Sequence, residues 1–175
     1  GGYADTDLPH VDNFSAARNL SFKLAETPWL LWLDCDDYLD PINCRRIREA
    51  VATAPADCAA FYCTYKIETK GAEILRERLI RRGAGHWINP VHETCLIHAG
   101  QQASGPAGLP FLNCPQIVIY HRDHDPAKRL TSAARNAAIL TRHLAHTARH
   151  FFYLHSDLKT LGRADEALTA APAPM

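Results

Sequence analysis

The chain has 175 residues, of which 47% are hydrophobic and 22% are charged. This composition is typical of a globular protein and excludes a disordered or collagen-like chain. Nineteen basic residues balance nineteen acidic ones, so the basic surplus of a nucleic-acid binder is missing and we expect no nucleic-acid partner.

The apolar runs are short, and the longest strongly apolar one, Trp29 to Leu33, cannot cross a bilayer. We therefore expect a soluble, cytoplasmic protein. The six cysteines include no C-x-x-C pair, which favours buried free thiols over disulfides or a zinc site. The chain begins without methionine and enters patterned sequence quickly, so we expect it to be a fragment.

The first half of the chain predicts alternating helices and strands. Apolar residues at helical spacing, bounded by a capping residue and a proline, indicate the helices. Trp29 to Leu33 is apolar without alternation, which is typical of a strand buried on both faces of an α/β sheet. In chain order, the predicted elements are a helix over 13–26, a strand over 29–33, a helix from Pro41 to Pro55, and strands over 59–67 and 74–81, with a turn near Lys70 and Gly71.

The second half predicts a shift from strands to helices. An α/β sheet layer with a helical C-terminal appendage is therefore the expected fold class. The predicted elements are a loop over 83–90, a short strand over 91–97, a surface loop over 101–110, a strand over 116–120, a helix from Pro126 with an apolar stripe (Leu130, Ala133, Ala137, Leu140 and Leu144), helices over 151–161 and 164–170, and a frayed tail over 171–175.

The acidic string Asp34-Cys35-Asp36-Asp37 follows the first predicted strand. In extended backbone Asp34 and Asp36 would point to one side, at the sheet edge where α/β proteins bind ligands. Paired carboxylates suit Mg²⁺ or Mn²⁺, which can bind a diphosphate. An acidic turn in which Asp37 or Asp40 caps the next helix explains the string equally well.

Two further groups of polar residues follow predicted strands. Glu93, in an apolar-flanked strand, has the chemistry of a general base, with His92 on the opposite face. His121 begins the string His121-Arg122-Asp123-His124-Asp125 and is a candidate metal ligand. Strand-edge polar residues and a solvated turn remain open alternatives.

Two sets of basic or polar residues are further candidates. Arg18 and Asn19, on the first helix, could face an anion, although an exposed salt bridge is the simpler interpretation. The basic residues of the 74–81 strand and its end are expected to charge a strand edge; they are Arg76, Arg78, Arg81 and Arg82.

Four motifs in order resemble family 2 glycosyltransferases of the GT-A fold. They are Asp12 to Asn19 (DNFSAARN), Trp29 to Asp37 (WLLWLDCDD), Arg78 to Arg81 (RLIR) and Val91 to Glu93 (VHE). The resemblance is strongest to a bacterial subgroup in which tetratricopeptide-like helices follow. It implies a Rossmann-like nucleotide-diphospho-sugar transferase sheet over 1–125 and a helical, tetratricopeptide-like segment over 126–175.

The resemblance also implies that a first β-α-β unit, which holds the nucleotide base, precedes this chain. The reaction would be an inverting transfer of a sugar from a nucleoside-diphosphate sugar to an acceptor hydroxyl. Asp36 would hold Mn²⁺ or Mg²⁺ against the diphosphate, Asp34 would reach the ribose or the metal shell, and His121 would complete the coordination.

The remaining roles also come from the resemblance. Glu93 would act as general base, His92 and Trp87 would shape the sugar and acceptor pocket, Arg18 would steady the diphosphate, and Asp37 would belong to the substrate-binding residues. The sequence does not name the acceptor, which is a glycan, lipid, peptide or small molecule. The C-terminal helices are a possible surface for a protein partner.

Two other functions remain open at this point. One is a degenerate, non-catalytic transferase-like scaffold that binds a partner through its helices. The other is a metal-dependent phosphohydrolase using Asp34, Asp36, His121 and His124.

Overall fold

The structure, a computed structural model, describes residues 11–68, 71–98, 111–122, 126–143 and 147–169. Within these residues helices and strands alternate first and helices follow, as the sequence predicts. The elements are α1 (Phe14–Leu24), β1 (Trp29–Leu31), β2 (Asp37–Tyr38), α2 (Pro41–Ala52), β3 (Ala60–Ile67), β4 (Ala72–Arg81), β5 (Gly85–Ile88), β6 (Thr94–Ile97), β7 (Phe111–His121), α3 (Pro126–Arg142), α4 (Ala148–Thr160) and α5 (Ala164–Thr169).

The described residues fall into two compact units. The sheet unit takes its residues from 19–87 and 95–124, and the helical unit takes its residues from 1–18, 88–94 and 125–175. Both units are therefore discontinuous in sequence. The division into 1–125 and 126–175 stays a prediction.

The sheet unit contains a five-stranded sheet in the order β1-β4-β3-β7-β2. β3 and β7 run parallel, whereas the other neighbours are antiparallel. A mixed sheet with helices is the α/β class that the sequence predicts. β5 and β6 form a separate two-stranded sheet.

The two faces of the central strands are both apolar, so each face packs into a core. One cluster includes Phe61, Leu79 and Ile119, and α2 covers it with Ile47 and Val51. The second cluster consists of Trp32, Ala60, Ile80, Trp87 and Cys95, with partly buried Phe22, Ile97 and Phe111 against it. Side chains alternate between the faces along β4, which explains why adjacent Leu79 and Ile80 serve different cores.

The first predicted strand is shorter and less buried than expected. β1 pairs only with β4 in the described sheet and lies at its edge. Leu30 and Trp32 are buried while Leu31 and Leu33 are exposed. The prediction of a strand buried on both faces was therefore wrong, because alternate residues of this apolar run face solvent.

Helix α2 follows its local signals closely. The Asp40 carboxylate accepts a hydrogen bond from the backbone N–H of Asn43 at 2.7 Å, and Pro41 occupies the start of the helix. Both features are favourable at a helix N-terminus, where N–H groups lack partners within the helix. The alternative that Asp40 caps this helix is confirmed.

Two local predictions in the β5 and β6 region were wrong. Residues 83–90 were expected to form a loop, but Gly85–Ile88 is strand β5. A strand was expected from Val91, whereas β6 begins only at Thr94. The intervening Asn89 and His92 have positive φ angles of 69° and 52°, a conformation that no extended strand contains.

The helical unit packs α3 against α4 and α4 against α5. Ala133, Ala137 and Leu140 of the predicted stripe are buried, but Leu130 is 53% exposed, so the stripe is shorter than expected. Gly162 follows α4 with a φ of +74°, the left-handed conformation that glycine adopts readily after a helix.

Several predictions fall outside the described residues: Lys70 of the predicted turn, the loop over 101–110, His124, Leu144 and the tail over 171–175. The tetratricopeptide-like character of the C-terminal helices stays a prediction. Among the described residues no helix is both long and apolar enough to span a membrane.

All six cysteines lie in the described residues and are free thiols. Four of them, Cys58, Cys63, Cys95 and Cys114, are buried in the sheet unit, and Cys35 is exposed. Burial raises the pKa of Cys63 and of Cys95 to about 12. The prediction of buried free thiols is confirmed for these four.

Candidate active site

The acidic string forms a tight turn rather than an extended strand end. The N–H of Asp37 donates to the carbonyl of Asp34 at 3.0 Å. In return the N–H of Asp34 donates to the Asp37 carboxylate at 2.9 Å. The expectation that Asp34 and Asp36 share one face of an extended strand was therefore wrong, because the chain reverses between them.

The short strand β2, which the sequence analysis missed, brings the turn beside the end of β7. Asp37 stands opposite His121 in the antiparallel register, and the N–H of Arg122 donates to the carbonyl of Asp36 at 3.0 Å. The imidazole Nδ1 of His121 lies 2.9 Å from Asp37 Oδ1 and 3.5 Å from Asp36 Oδ1. Backbone pairing thus brings two carboxylates to one imidazole.

Asp37 is the buried centre of this group, with a side chain that is 0% exposed. Its Oδ1 accepts from the Tyr65 hydroxyl at 3.0 Å and from His121. Its Oδ2 accepts from Arg78 and from the Asp34 N–H, both at 2.9 Å. Four donors match the full accepting capacity of a carboxylate.

Arg78 supplies the charge that allows Asp37 to be buried as an anion. Its guanidinium lies 3.8 Å from the Trp32 ring centroid and 4.1 Å from that of Tyr65, and its side chain is 1% exposed. Burial raises the pKa of the Tyr65 hydroxyl, and the Asp37 charge raises it further. The expectation that Arg78 charges a strand edge was wrong, because β4 lies inside the sheet and Arg78 points inward.

The donor set of this cluster suits a hard divalent cation. Asp36, Asp37 and His121 each offer one ligand atom, and the three atoms lie within 4.8 Å of one another. Because a carboxylate only accepts, we assign the proton of His121 to Nδ1, which leaves the Nε2 lone pair for a ligand. Asp36, Asp37 and His121 are thus the residues that could hold a metal here, and Asp37 already accepts four hydrogen bonds.

A second group of predicted residues lies in the helical unit. Between β5 and β6 the chain forms an irregular segment, the 89–93 loop. Arg18 Nε donates to Glu93 Oε1 at 2.8 Å, and the two side chains are 24% and 14% exposed. Arg18 and Glu93 therefore form a largely shielded ion pair, with the carboxylate oriented by the first helix.

Several residues of the motif around Arg18 have structural roles. Asn13 Oδ1 accepts from the N–H of Ala16 at 2.9 Å and so caps α1. Asn19 makes two hydrogen bonds with the backbone of Trp87, at 2.8 and 2.7 Å. The Trp87 ring is 2% exposed and stands edge-on to Trp32, a placement that does not favour direct contact with a substrate.

The sequence model described as glycosyl transferase family 2 matches residues 7–106. This stretch is more than half of the chain and includes the motif around Arg18, the acidic turn, Arg78 and the 89–93 loop. The chain belongs to glycosyltransferase family 2. Membership implies a nucleotide-sugar donor and an acceptor. No curated protein matches the chain.

Among the sequence-predicted residues of this glycosyltransferase, the structure brings Asp36 and His121 together, and separately Arg18 and Glu93. Asp34 contributes its backbone N–H to the Asp37 carboxylate rather than standing parallel to Asp36. His92 lies in the left-handed region, and its ring contacts α4 instead of occupying a strand face.

Two residues of the acidic cluster escaped the sequence analysis as site residues, namely Arg78 and Tyr65. One signal was available for Arg78. In a regular strand over 74–81, Arg78 would share a face with the apolar Ile80, two positions on. In the structure the pairing of β3 with β4 shifts register between Phe61 and Tyr62 and leaves Arg78 without a partner residue in that register. The sequence shows no comparable signal for Tyr65.

Proposed function

We propose that this glycosyltransferase carries out an inverting transfer, in which the acceptor hydroxyl displaces the nucleoside diphosphate from the sugar in one step. The observation that supports this proposal best is the convergence of Asp36, Asp37 and His121 within a chain of this family. A cluster of two carboxylates and an imidazole has the ligands that suit a diphosphate-bound Mn²⁺ or Mg²⁺.

In the proposed reaction, the acceptor oxygen bonds to the anomeric carbon as the bond from that carbon to the diphosphate oxygen breaks. The acceptor proton passes to the Glu93 carboxylate, which Arg18 orients through Oε1. The electron pair of the broken bond leaves on the diphosphate. A bound divalent cation would neutralise the charge that develops there.

Each residue of the acidic cluster has a distinct proposed part. Asp36 and His121 would hold the metal, and Asp34 would reach the ribose. Asp37 would act as a support: it accepts a hydrogen bond from His121 Nδ1–H, which would leave the other ring nitrogen available as a ligand. Arg78 would balance the charge of the buried Asp37 carboxylate through their ion pair.

The test is a calorimetric titration of UDP with Mn²⁺ into the complete natural protein, with the Asp36→Ala and Asp165→Ala variants alongside. Asp165 is an exposed acid in α5 and serves as the charge-matched control. We expect binding to the wild type and to Asp165→Ala, and loss of binding in Asp36→Ala.

Other results of this titration count against the proposal. Equal binding by all three proteins would remove Asp36 from the metal site. No heat with UDP, and none with other nucleoside diphosphates in place of UDP, would favour the degenerate scaffold. In a separate assay, phosphate release without an acceptor would favour the phosphohydrolase.

A further inference from the structure

The 89–93 loop contains two residues in a backbone conformation that most side chains rarely adopt. Asn89 and His92 both have positive φ angles, and neither is glycine. Most side chains disfavour this conformation and asparagine tolerates it best, so the contacts around His92 are the ones that help to maintain it. His92 directly precedes Glu93, and its backbone angles therefore decide where the Glu93 carboxylate lies.

Helix α4 supplies three contacts to His92. The Tyr153 ring stacks on the imidazole, with centroids 3.9 Å apart and planes inclined by 13°. Asp157 Oδ2 lies 3.3 Å from His92 Nε2, and the Arg149 guanidinium donates to the His92 carbonyl at 2.9 Å. These three helix residues are spaced four apart, so they share one face of α4.

The other side of the loop is held by the start of α1. The N–H of Phe14 donates to the carbonyl of Pro90 at 2.7 Å, and Arg18 pairs with Glu93. Val91 is buried with Ile139 and Leu140. The loop is thus fixed at its first half by α1 and the core, and at His92 by α4.

We propose that Arg149, Tyr153 and Asp157 are positioning residues for Glu93, and that the face of α4 formed by them holds His92 in its left-handed conformation. In this proposal the C-terminal helices contribute to the position of Glu93 and do not form a separate binding module. The consequence for sugar transfer rests on the proposed role of Glu93, whereas the effect on the loop does not.

The first arm of the test is amide hydrogen exchange in fragments covering 88–94 of the complete protein. Arg149→Ala changes an exposed side chain and is the variant least able to disturb folding. We expect exchange in 88–94 to accelerate about threefold in Arg149→Ala and about tenfold in Tyr153→Ala. Tyr153→Phe keeps the ring and should restore the wild-type rate.

Ser156→Ala is the matched control, because Ser156 is exposed on the same helix. It should exchange as the wild type does. Faster exchange throughout α3 and α4 in Tyr153→Ala would show that this variant loosens the helices in general. The exchange rate of 88–94 in Arg149→Ala would then decide the proposal. Unchanged exchange in 88–94 for both Arg149→Ala and Tyr153→Ala would overturn the proposal.

The second arm measures UDP released from UDP-glucose in the presence of Mn²⁺, with water as the acceptor of the glucosyl group. Asp157→Asn and Tyr153→Ala should lower kcat about tenfold while the donor KM stays within about twofold, since donor contacts are unchanged. A rise in KM with kcat unchanged would contradict a role in positioning Glu93. Inactivity of the wild type would count against the proposed function, and the exchange data would still decide the inference.

Discussion

The acidic cluster of the sheet unit takes its geometry from strand pairing, whereas the 89–93 loop of the helical unit takes its geometry from side chains. The register of β2 and β7 places Asp37 opposite His121, and the buried Arg78 holds Asp37 in place. His92 has no such register and depends on the stacked Tyr153 ring. The comparison suggests that the geometry of the cluster can change only if the strand pairing changes. The geometry of the loop can change while the fold stays the same.

The largest expected effect concerns the loop. Glu93→Gln removes the proposed general base but keeps the shape of the side chain and one amide oxygen that can accept the hydrogen bond from Arg18. We expect sugar transfer to fall by about 10²- to 10⁴-fold, with a smaller loss of stability than in Asp37→Asn because the Arg18 side chain remains 24% exposed. Glu166→Gln, which alters an exposed ion pair with Arg163, is the control. Retained transfer in Glu93→Gln would end the assignment of that role.

The next effect concerns the cluster and should be one of stability. Asp37→Asn leaves the buried Arg78 cation without its counter-charge, and breaking a buried pair in this way costs about 3–5 kcal/mol. We expect urea denaturation to show a loss of this size, together with loss of Mn²⁺ binding. Asp36→Asn should lose Mn²⁺ binding alone, because Asp36 is partly exposed. Equal stability of the two variants would contradict the distinction between support and ligand.

These two predictions rest on pairings that the sequence could not supply. Arg18 and Glu93 are 75 residues apart, and Arg78 and Asp37 are 41 apart. Each pair meets only after the strands or helices carrying it have packed. The resemblance to a family predicted that Asp36 and His121 act together. The burial of Asp37, by contrast, depends on strand β2, which is too short for its two residues to show a strand pattern in the sequence.

Local signals predicted most of the remaining architecture. The Asp40 cap, Pro41 and an apolar stripe sufficed for α2, and runs of β-branched and aromatic residues sufficed for β3. The position of a strand within the sheet was harder to predict, because an apolar run such as Trp29 to Leu33 does not distinguish an edge strand from a central one. Left-handed residues such as His92 were not predictable at all, since only tertiary contacts maintain them.

A smaller effect is expected at high pH, where two buried thiols of the sheet unit lower the stability of the folded protein. The pKa of Cys63 and of Cys95 is about 12 in the folded sheet unit against an ordinary value near 9, so the unfolded chain loses these protons first. Their stabilising contribution is complete below pH 9 and declines from pH 9 to 12, by at most about 1.4 kcal/mol per pH unit for each thiol.

Urea unfolding of the reduced protein at pH 8 and pH 10 measures this decline. Cys95→Ala should reduce the difference between the two pH values, and Thr160→Ala, on exposed α4 surface, should leave it unchanged. A pH dependence that is the same in Cys95→Ala and in the wild type would show that the thiol ionises equally in both states.

The smallest expected effect concerns the end of α4. Gly162 has a φ of +74° with open space around its missing side chain, so Gly162→Ala costs backbone strain without a clash. We expect a loss of about 1 kcal/mol in the free energy of unfolding. Gly162→Asn should lose less, because asparagine tolerates this conformation better. Identical stability of the alanine and glycine proteins would contradict the left-handed assignment.

The exposed thiol of Cys35 lies between Asp34 and Asp36 in the acidic turn, while four of the other five cysteines are buried. An alkylating reagent should therefore label the folded protein first at this turn. Occupation of the turn by a cation and a diphosphate would shield that sulfur. Under the proposed function, the labelling rate of Cys35 would report donor binding without a known acceptor or catalytic turnover.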